Sequence, residues 1–469
     1  MNVNFILITL LLGAIITYLS GNKQARNVAT LFGVLSFGMT IYASSLFLNG
    51  TDVSFVSQWM SKPNVSYALH ADGLSLLMLL LNTFLIPVII LTSIGNNHKN
   101  PRLLYALVLF MAFAMGGTFL AADGLAYYVF WELALLPIFA IGLLWGNDSW
   151  SERKKTMYKF FIYTFAGSLF MLIGIIYLYT KTDSFLLADF LQLNLTAKEQ
   201  TYIFLAFFVA YAIKLPVFPF HTWQANTYEK SPAIGTMLLS GIMLKMGVYS
   251  ILRWQIPLTG DISTTLQNTV IVLALIGVVY ASFIALRETN IKRILAYSSM
   301  AHVGLIAAGA YTYNATGYQG VAIQMVAHGV VIVALFFLAE ILYHRYGTYD
   351  IKEMGGIRSQ AVRFSSYFLI FIFASVGLPG TFSFIGEFAL LLSLSQYKII
   401  YAIIGGTTII FGAYYMLKMF QTAMLGPENS KTFKDVSGYE HLILLLLALV
   451  VLFFGLYPQP ITDLLFATL

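Results

Sequence analysis

The sequence contains no cysteine. That excludes thiolate-held iron–sulfur clusters, haem attached through cysteine, and disulfides. Charge is scarce as well. Only 10% of the 469 residues are Asp, Glu, Lys or Arg, against about 25% in a soluble domain. There is no Gly-rich nucleotide fingerprint and no P-loop. If the chain serves a redox or ATP-driven machine, the driving chemistry belongs to another chain. The start of the sequence lacks a basic n-region and an A-x-A cleavage site, so residues 5–20 are expected to remain as a first helix.

Apolar sequence is abundant. Hydrophobic residues make up 59% of the chain, and its mean hydropathy is +0.80. Runs near membrane-spanning length recur from end to end. Spans are predicted at about 5–20, 27–48, 72–94, 103–122, 124–145, 157–180, 201–220, 233–254, 267–286, 291–312, 318–343, 362–394, 397–420 and 440–457. The expected fold is an all-α polytopic membrane protein of about fourteen transmembrane helices, with no sizeable soluble domain and the lipid bilayer as its surroundings.

The net charge of +6 is weak ground for a nucleic-acid partner, and none is expected. It fits basic loops instead. With the N-terminus outside, alternating loops place nineteen of the 26 Lys and Arg on the cytoplasmic side and five on the other, leaving Lys214 and Lys245 in the membrane. This asymmetry favours both termini on the non-cytoplasmic side. Arg153, Lys154 and Lys155 read as a solvated loop that sets topology. Asp72, Asp123, Arg253 and Glu340 lie near predicted helix ends and read as interfacial.

Two spans carry breakers. The seventh contains Lys214-Leu-Pro-Val-Phe-Pro219, and the twelfth contains Gly377-Leu-Pro-Gly380 before Phe384-Ile-Gly-Glu-Phe388. Proline removes a backbone donor and clashes with the preceding turn. Irregular backbone at membrane depth survives where it is buried in protein or lines a cavity. Each break falls in the fourth helix of a five-helix group. A second group of five enters the membrane from the opposite face, so the two groups are expected to be inverted repeats. The expected domains are residues 1–102 (three N-terminal helices), 103–254 (first repeat), 267–421 (second repeat) and 438–469 (C-terminal helix).

Four charged residues sit inside these spans: Glu132, Lys214, Lys245 and Glu387. A charge at the centre of a membrane helix costs roughly 2.5–3.5 kcal/mol on insertion scales, so such residues usually serve a function. Burial disfavours a charged lysine and a nearby carboxylate restores it, so a Lys–Glu pair of variable separation is a proton switch. Glu132 is the expected partner of Lys214; the bland alternative is a static ion pair that pins two helices. Lys245 has no acid on its own helix, and Ser240, Gly241 and Gly247 leave room around it. The alternative is a lysine snorkelling to an interface. Glu387 follows the second break; otherwise it is a helix-end carboxylate. His302 and His328 titrate near neutral pH and, with Ser298, Ser299 and Gln324, suggest a hydrated polar axis. Each histidine alone reads equally well as a core residue. His221 follows the first break and is a candidate for a cytoplasmic inlet. No two histidines have metal-ligand spacing on one helix face, so no metal is expected.

These motifs resemble the antiporter-like membrane subunits of respiratory complex I, the proton-pumping NADH:quinone oxidoreductase. The motifs are Phe130-Trp-Glu-Leu133, Ala212-Ile-Lys-Leu-Pro-Val-Phe-Pro-Phe-His-Thr-Trp223, Ser240-Gly-Ile-Met-Leu-Lys-Met-Gly247, Asn290-Ile-Lys-Arg-Ile-Leu-Ala-Tyr-Ser-Ser-Met-Ala-His302 and Gly386-Glu-Phe388. The resemblance covers nearly the whole chain. L-type members are longer and end in an amphipathic lateral helix, for which this sequence leaves no room. L-type, N-type and many Mrp members tend to carry lysine where Glu387 stands. Glutamate there resembles the M type, the counterpart of mitochondrial chain 4.

The resemblance implies roles: Glu132 and Lys214 as a coupling pair, Lys245 as central relay, His302 and His328 as bridge, and Glu387 as outlet. It implies no cofactor in this chain, with NAD, FMN, iron–sulfur clusters and quinone in partner subunits. The implied neighbours are other complex I membrane subunits, especially the L- and N-types, in a bacterial inner membrane. Alternatives are an Mrp-type cation/proton antiporter subunit, a membrane-bound hydrogenase subunit, or an inactive structural spacer.

Overall fold

The structure is a computed structural model and describes residues 1–260, 262–427 and 431–467. Residues 468 and 469, the end of the expected C-terminal domain, lie outside the described residues. The chain begins with α1 (Asn4–Leu19) and α2 (Ala25–Leu48). A hairpin of β1 (Phe55–Met60) and β2 (Val65–Leu69) follows, antiparallel, with Phe55 opposite Leu69. The sequence reading missed this hairpin. Its strands are short and mixed in polarity, and they lie between spans where only loop was expected.

Next come α3 (Gly73–Leu91), α4 (Pro101–Leu120), α5 (Gly124–Leu133), α6 (Leu135–Trp145), α7 (Trp150–Thr182), α8 (Leu187–Leu191) and α9 (Ala197–Lys214). Local chemistry sets the starts. Asp72 and Ser75 form a reciprocal capping box on α3. Proline opens α4, where its missing N–H costs nothing. Asp123 caps α5 through the Leu125 and Ala126 N–H groups, and also accepts from Ser66 N–H in the hairpin. It is fully buried.

The helix of α9 stops at Lys214, and residues 215–223 are irregular. α10 (Gln224–Lys230), α11 (Ala233–Leu238), α12 (Leu244–Ser250) and α13 (Ile256–Leu258) follow. The last three form one continuous helical rod, because Leu239–Met243 and Ile251–Gln255 between them are π-helical. Such segments are rare and frequent at functional sites. The chain continues with α14 (Thr264–Ala285), α15 (Ile291–Ala310), α16 (Ala315–Tyr346) and α17 (Ile357–Gln360). α18 (Val362–Ser375) and α19 (Phe382–Tyr397) divide the predicted span 362–394, with Gly377 and Gly380 at positive φ between them. α20 (Ile399–Leu425), α21 (Tyr439–Leu456) and α22 (Gln459–Phe466) complete the chain.

Ten helices among the described residues are long and apolar enough to cross a membrane. In two of these, Ala233–Leu258 and Ala315–Tyr346, the most apolar 18-residue portion is wholly buried. They carry Lys245, Gln324 and His328. α2, α20 and α21 are mostly uncovered along their apolar lengths, as helices bathed in hydrocarbon can be.

The fold divides into two compact units. Unit 1 holds Met1–Lys214, Ile242–Gln267 and Pro460–Leu469. Its core is built around α4, which packs on α1 and α3. Unit 2 holds Leu215–Gly241 and Asn268–Gln459. Its centre is α16, flanked by α15, α18, α19 and α21. Gly320 lets α19 approach α16 closely: a Cβ there would stand 2.9 Å from Leu390 N. That approach brings Glu387 to α16.

Candidate functional site

In unit 1, Glu132 ends α5 and Lys214 ends α9. Lys214 is only 2% exposed. Its ammonium lies 4.7 Å from the centre of the Trp131 ring, an attraction worth about 2 kcal/mol when desolvated. Glu132 acts on Lys214 electrostatically and has Ser168 of α7 beside its carboxyl. No direct ion pair joins the two residues. Glu132 also lines an apolar groove of about 300 Å³ with Tyr128, Leu136 and Phe165. Glu132 and Lys214 therefore interact at a distance, and the Trp131 indole faces the ammonium.

Lys245 lies on α12, is 1% exposed, and sits between the two π segments. Nearby on the same rod, Ser250 Oγ is 2.6 Å from the Tyr127 hydroxyl, which is 3.1 Å from the Tyr211 hydroxyl. Tyr127 stacks on Trp254 at 4.6 Å. α5, α9 and the Lys245 rod thus meet through three buried hydroxyls. The sequence reading named none of them. Their signal was helical spacing: Tyr211 precedes Lys214 by one turn, and Tyr127 precedes Trp131 by one turn.

At one end of this unit, Arg253 pairs with Asp72 at 2.5 Å. Burial, then the Arg253 charge, hold the His70 imidazole below its usual value. Arg253 and Asp72 were read separately as interfacial; the fold joins them across 181 positions of sequence.

In unit 2, α19 presents Glu387 to α15 and α16. The carboxylate lies 3.0 Å from His302 Nδ1 and accepts from Gln324 Nε2 at 3.1 Å. His302 and His328 stand with ring centres 5.9 Å apart. Tyr415 of α20 donates to Ser298 at 3.1 Å. Between these groups is a cavity of about 10 Å³, lined by Ser298, His302, Gln324, His328, Ser375, Ser383 and Glu387 together with the apolar Val331, Ile332 and Leu335. That is about the space of one water molecule. The irregular backbone after α18 shapes the site. A Cβ on Gly377 would collide with Glu387 Oε2. Glu387 is 2% exposed, so it is a buried carboxylate, not a helix-end surface group.

His221 packs between Phe218, at 5.6 Å, and Tyr280, at 4.9 Å. Lys292, assigned from sequence to a cytoplasmic helix end, is 1% exposed. Glu340 is largely buried as well.

Residues 121–412 match the family described as NADH:quinone oxidoreductase/Mrp antiporter, transmembrane. The chain belongs to this family. Subunit M of NADH-quinone oxidoreductase from Rickettsia typhi is 36% identical, over 96% of this chain and 93% of that one. Chain 4 of NADH-ubiquinone oxidoreductase from Arabidopsis thaliana is 32% identical, over 98% and 95%. A chain of respiratory complex I from Thermus thermophilus superposes with a TM-score of 0.91 at 29% identity, covering 99% of this chain and 97% of that chain. A chain of the Mrp complex from Dietzia has a TM-score of 0.86 at 20% identity, over 98% and 95%; that likeness concerns the fold alone. Glu132, Lys214, Lys245 and Glu387 all lie within the part of the chain matched to this NADH:quinone oxidoreductase/Mrp antiporter family.

Proposed function

We propose that this chain is the M-type proton-translocating subunit in the membrane arm of an NADH:quinone oxidoreductase. The observation that carries the reading is its identity to subunit M along nearly the full length of both chains. A glutamate, not a lysine, at position 387 supports the M type over its siblings. Fourteen membrane helices form the frame, ten of them in two inverted five-helix repeats, 103–254 and 267–421. Both termini face away from the cytoplasm of a bacterial inner membrane.

Within that frame Glu132 and Lys214 are the coupling pair. Moving Lys214 from the Trp131 face onto Glu132 favours the ammonium, and withdrawing it favours release of a proton. Lys245 is the central relay and His302 with His328 the bridge. Glu387 is the outlet group toward the non-cytoplasmic side, and His221 borders the cytoplasmic approach. The chain itself holds no redox centre. NAD, FMN, iron–sulfur clusters and quinone belong to partner subunits, and L- and N-type subunits are its membrane neighbours.

The test is Lys245→Ala in the assembled enzyme, with NADH-driven proton pumping and quinone reduction measured in membrane vesicles. The expected result is loss of pumping through this subunit. Wild-type pumping with normal quinone reduction would remove the relay role. Glu132→Gln is expected to lower the protons moved per electron pair, and an unchanged ratio counts against the switch. Rescue of a sodium-sensitive, antiporter-deficient strain by this chain alone would favour an Mrp-type antiporter instead.

A further inference from the structure

Lys292 is a buried cation that the pathway above does not use. It opens α15 in unit 2 and is 1% exposed. No carboxylate pairs with it directly. Its ammonium donates to the Ser231 carbonyl at 2.8 Å and lies 4.9 Å from the Tyr349 ring centre. Two carboxylates act on it at longer range, Glu340 and Glu229. Glu229 is already held by Arg293 at 3.1 Å, and Arg293 also binds Glu288 at 2.9 Å. Among the described residues no lysine or arginine forms an ion pair with Glu340. It accepts from the Tyr349 hydroxyl at 2.9 Å and meets His344 Nε2 at 3.1 Å. The His344 side chain is 50% exposed. An exposed titratable ring, a buried carboxylate and a buried amine thus follow one another inward.

The cluster points at the Glu387 centre along two adjacent helices. On α15, Ser299 lies seven residues after Lys292 and His302 three further, a spacing that keeps all three on one side of the helix. Lys292 to His302 is about 15 Å of helix rise. On α16, the cavity beside Glu387 reaches Leu335, about 7.5 Å of rise from Glu340. Val331, Ile332 and Leu335 are the apolar residues of that cavity's lining, and on α16 they lie between His328 and Glu340. Dry side chains between two polar sites are the arrangement of a gate.

We propose that His344, Glu340 and Lys292 form a second proton-loading site, at the charged end of α15 and α16, which feeds His302 and Glu387 within the same unit. The proposal rests on the proton-translocating reading of the chain. A proton taken from water by His344 passes to the Glu340 carboxylate. Once Lys292 has given its own proton to His302, the Glu340 proton reloads the Lys292 amine, leaving Glu340 ionised and Lys292 as ammonium. Transfer from Lys292 to His302, when water wets the Leu335 stretch, restores the amine. Unit 2 then loads and releases protons without waiting for Lys245.

A structural clamp is the competing role, because Lys292 and Arg293 also tie α15 to α10. Lys292→Arg keeps the charge and donors of a clamp but holds its proton too tightly to relay it. Glu340→Gln keeps an acceptor for Tyr349 but cannot ionise. In the intact enzyme both variants are expected to assemble and reduce quinone, with fewer protons moved per electron pair. The chain has no cysteine, so Ser299→Cys provides a unique thiol in this subunit. A sulfonated maleimide that does not cross membranes is expected to label it during turnover from the cytoplasmic face, and less so when Glu340→Gln is added. A wild-type proton ratio in both variants, or labelling of Ser299→Cys only from the opposite face, overturns the proposal. Lys245→Ala, assayed in parallel, separates the two readings: normal pumping in that variant removes the pathway itself, whereas impaired pumping with normal Lys292→Arg and Glu340→Gln removes only the second loading site.

Discussion

A methyl group at position 377 has two objections to meet. Gly377 has φ +68°, a left-handed conformation that costs an L-residue roughly 1–2 kcal/mol. The added carbon would also collide with Glu387 Oε2. Gly377→Ala is therefore expected to destabilise the chain by about that amount and to push the carboxylate off His302. Proton pumping should fall more than quinone reduction. Unchanged melting and pumping of the purified variant would show that the break does not position Glu387. At this scale the charged residues were legible in the sequence, because an acid or lysine in an apolar run is conspicuous. Their partners were not. Trp131 reads as one more aromatic in a chain with 16% aromatics, and only the fold turns its face to Lys214. Lys292 was hidden for the opposite reason: a lysine beside a predicted helix end looks like a topological marker until neighbouring elements cover it.

Helix ends and breaks are where the elements carry their chemistry. Near the start of α3, His70, Asp72, Asp52 and Arg253 interact. Burial, reinforced by Arg253, holds His70 below its usual value near 6.5. The unfolded chain therefore binds more protons than the folded one as pH drops through that region, so this contribution to stability is present above about pH 6.5 and lost on acidification. Thermal unfolding in detergent is expected to shift downward between pH 7.5 and 5.5, and less so in His70→Gln. An equal shift in both proteins would show that His70 stays solvated. The interruptions after Lys214 and at Gly377 were legible, since proline and glycine act locally. The hairpin was not, because its strands are stabilised by pairing and not by periodicity. The π segments around Lys245 were equally hidden, as one extra residue per turn leaves no compositional trace.

For the whole molecule, the reading as a subunit of a redox complex makes a prediction that no single variant tests. Purification through a tag on this chain in mild detergent is expected to recover iron and flavin with the complex. The chain separated from its partners should contain neither by elemental and absorbance analysis. Recovery of a small set of membrane proteins free of iron would point to an antiporter. Composition made the membrane location readable from sequence, because it depends on transfer of side chains between water and lipid. The two compact units of the fold have boundaries that no feature of the sequence marks. The division runs through the Lys245 rod, between Gly241 and Ile242, and returns residues 460–469 to unit 1.

The sequence alone determined that the chain is helical and embedded in lipid, where its helices break, and which costly charges it retains. These follow from local propensity and from the free energy of each side chain in hydrocarbon, terms that need no knowledge of neighbours. Only the tertiary structure decided that Lys214 rests on Trp131, that Glu387 meets His302 and Gln324, and that Lys292 is buried beside Glu340. Contacts between residues far apart in the chain depend on how helices pack, and packing is a property of surfaces that exist only after folding.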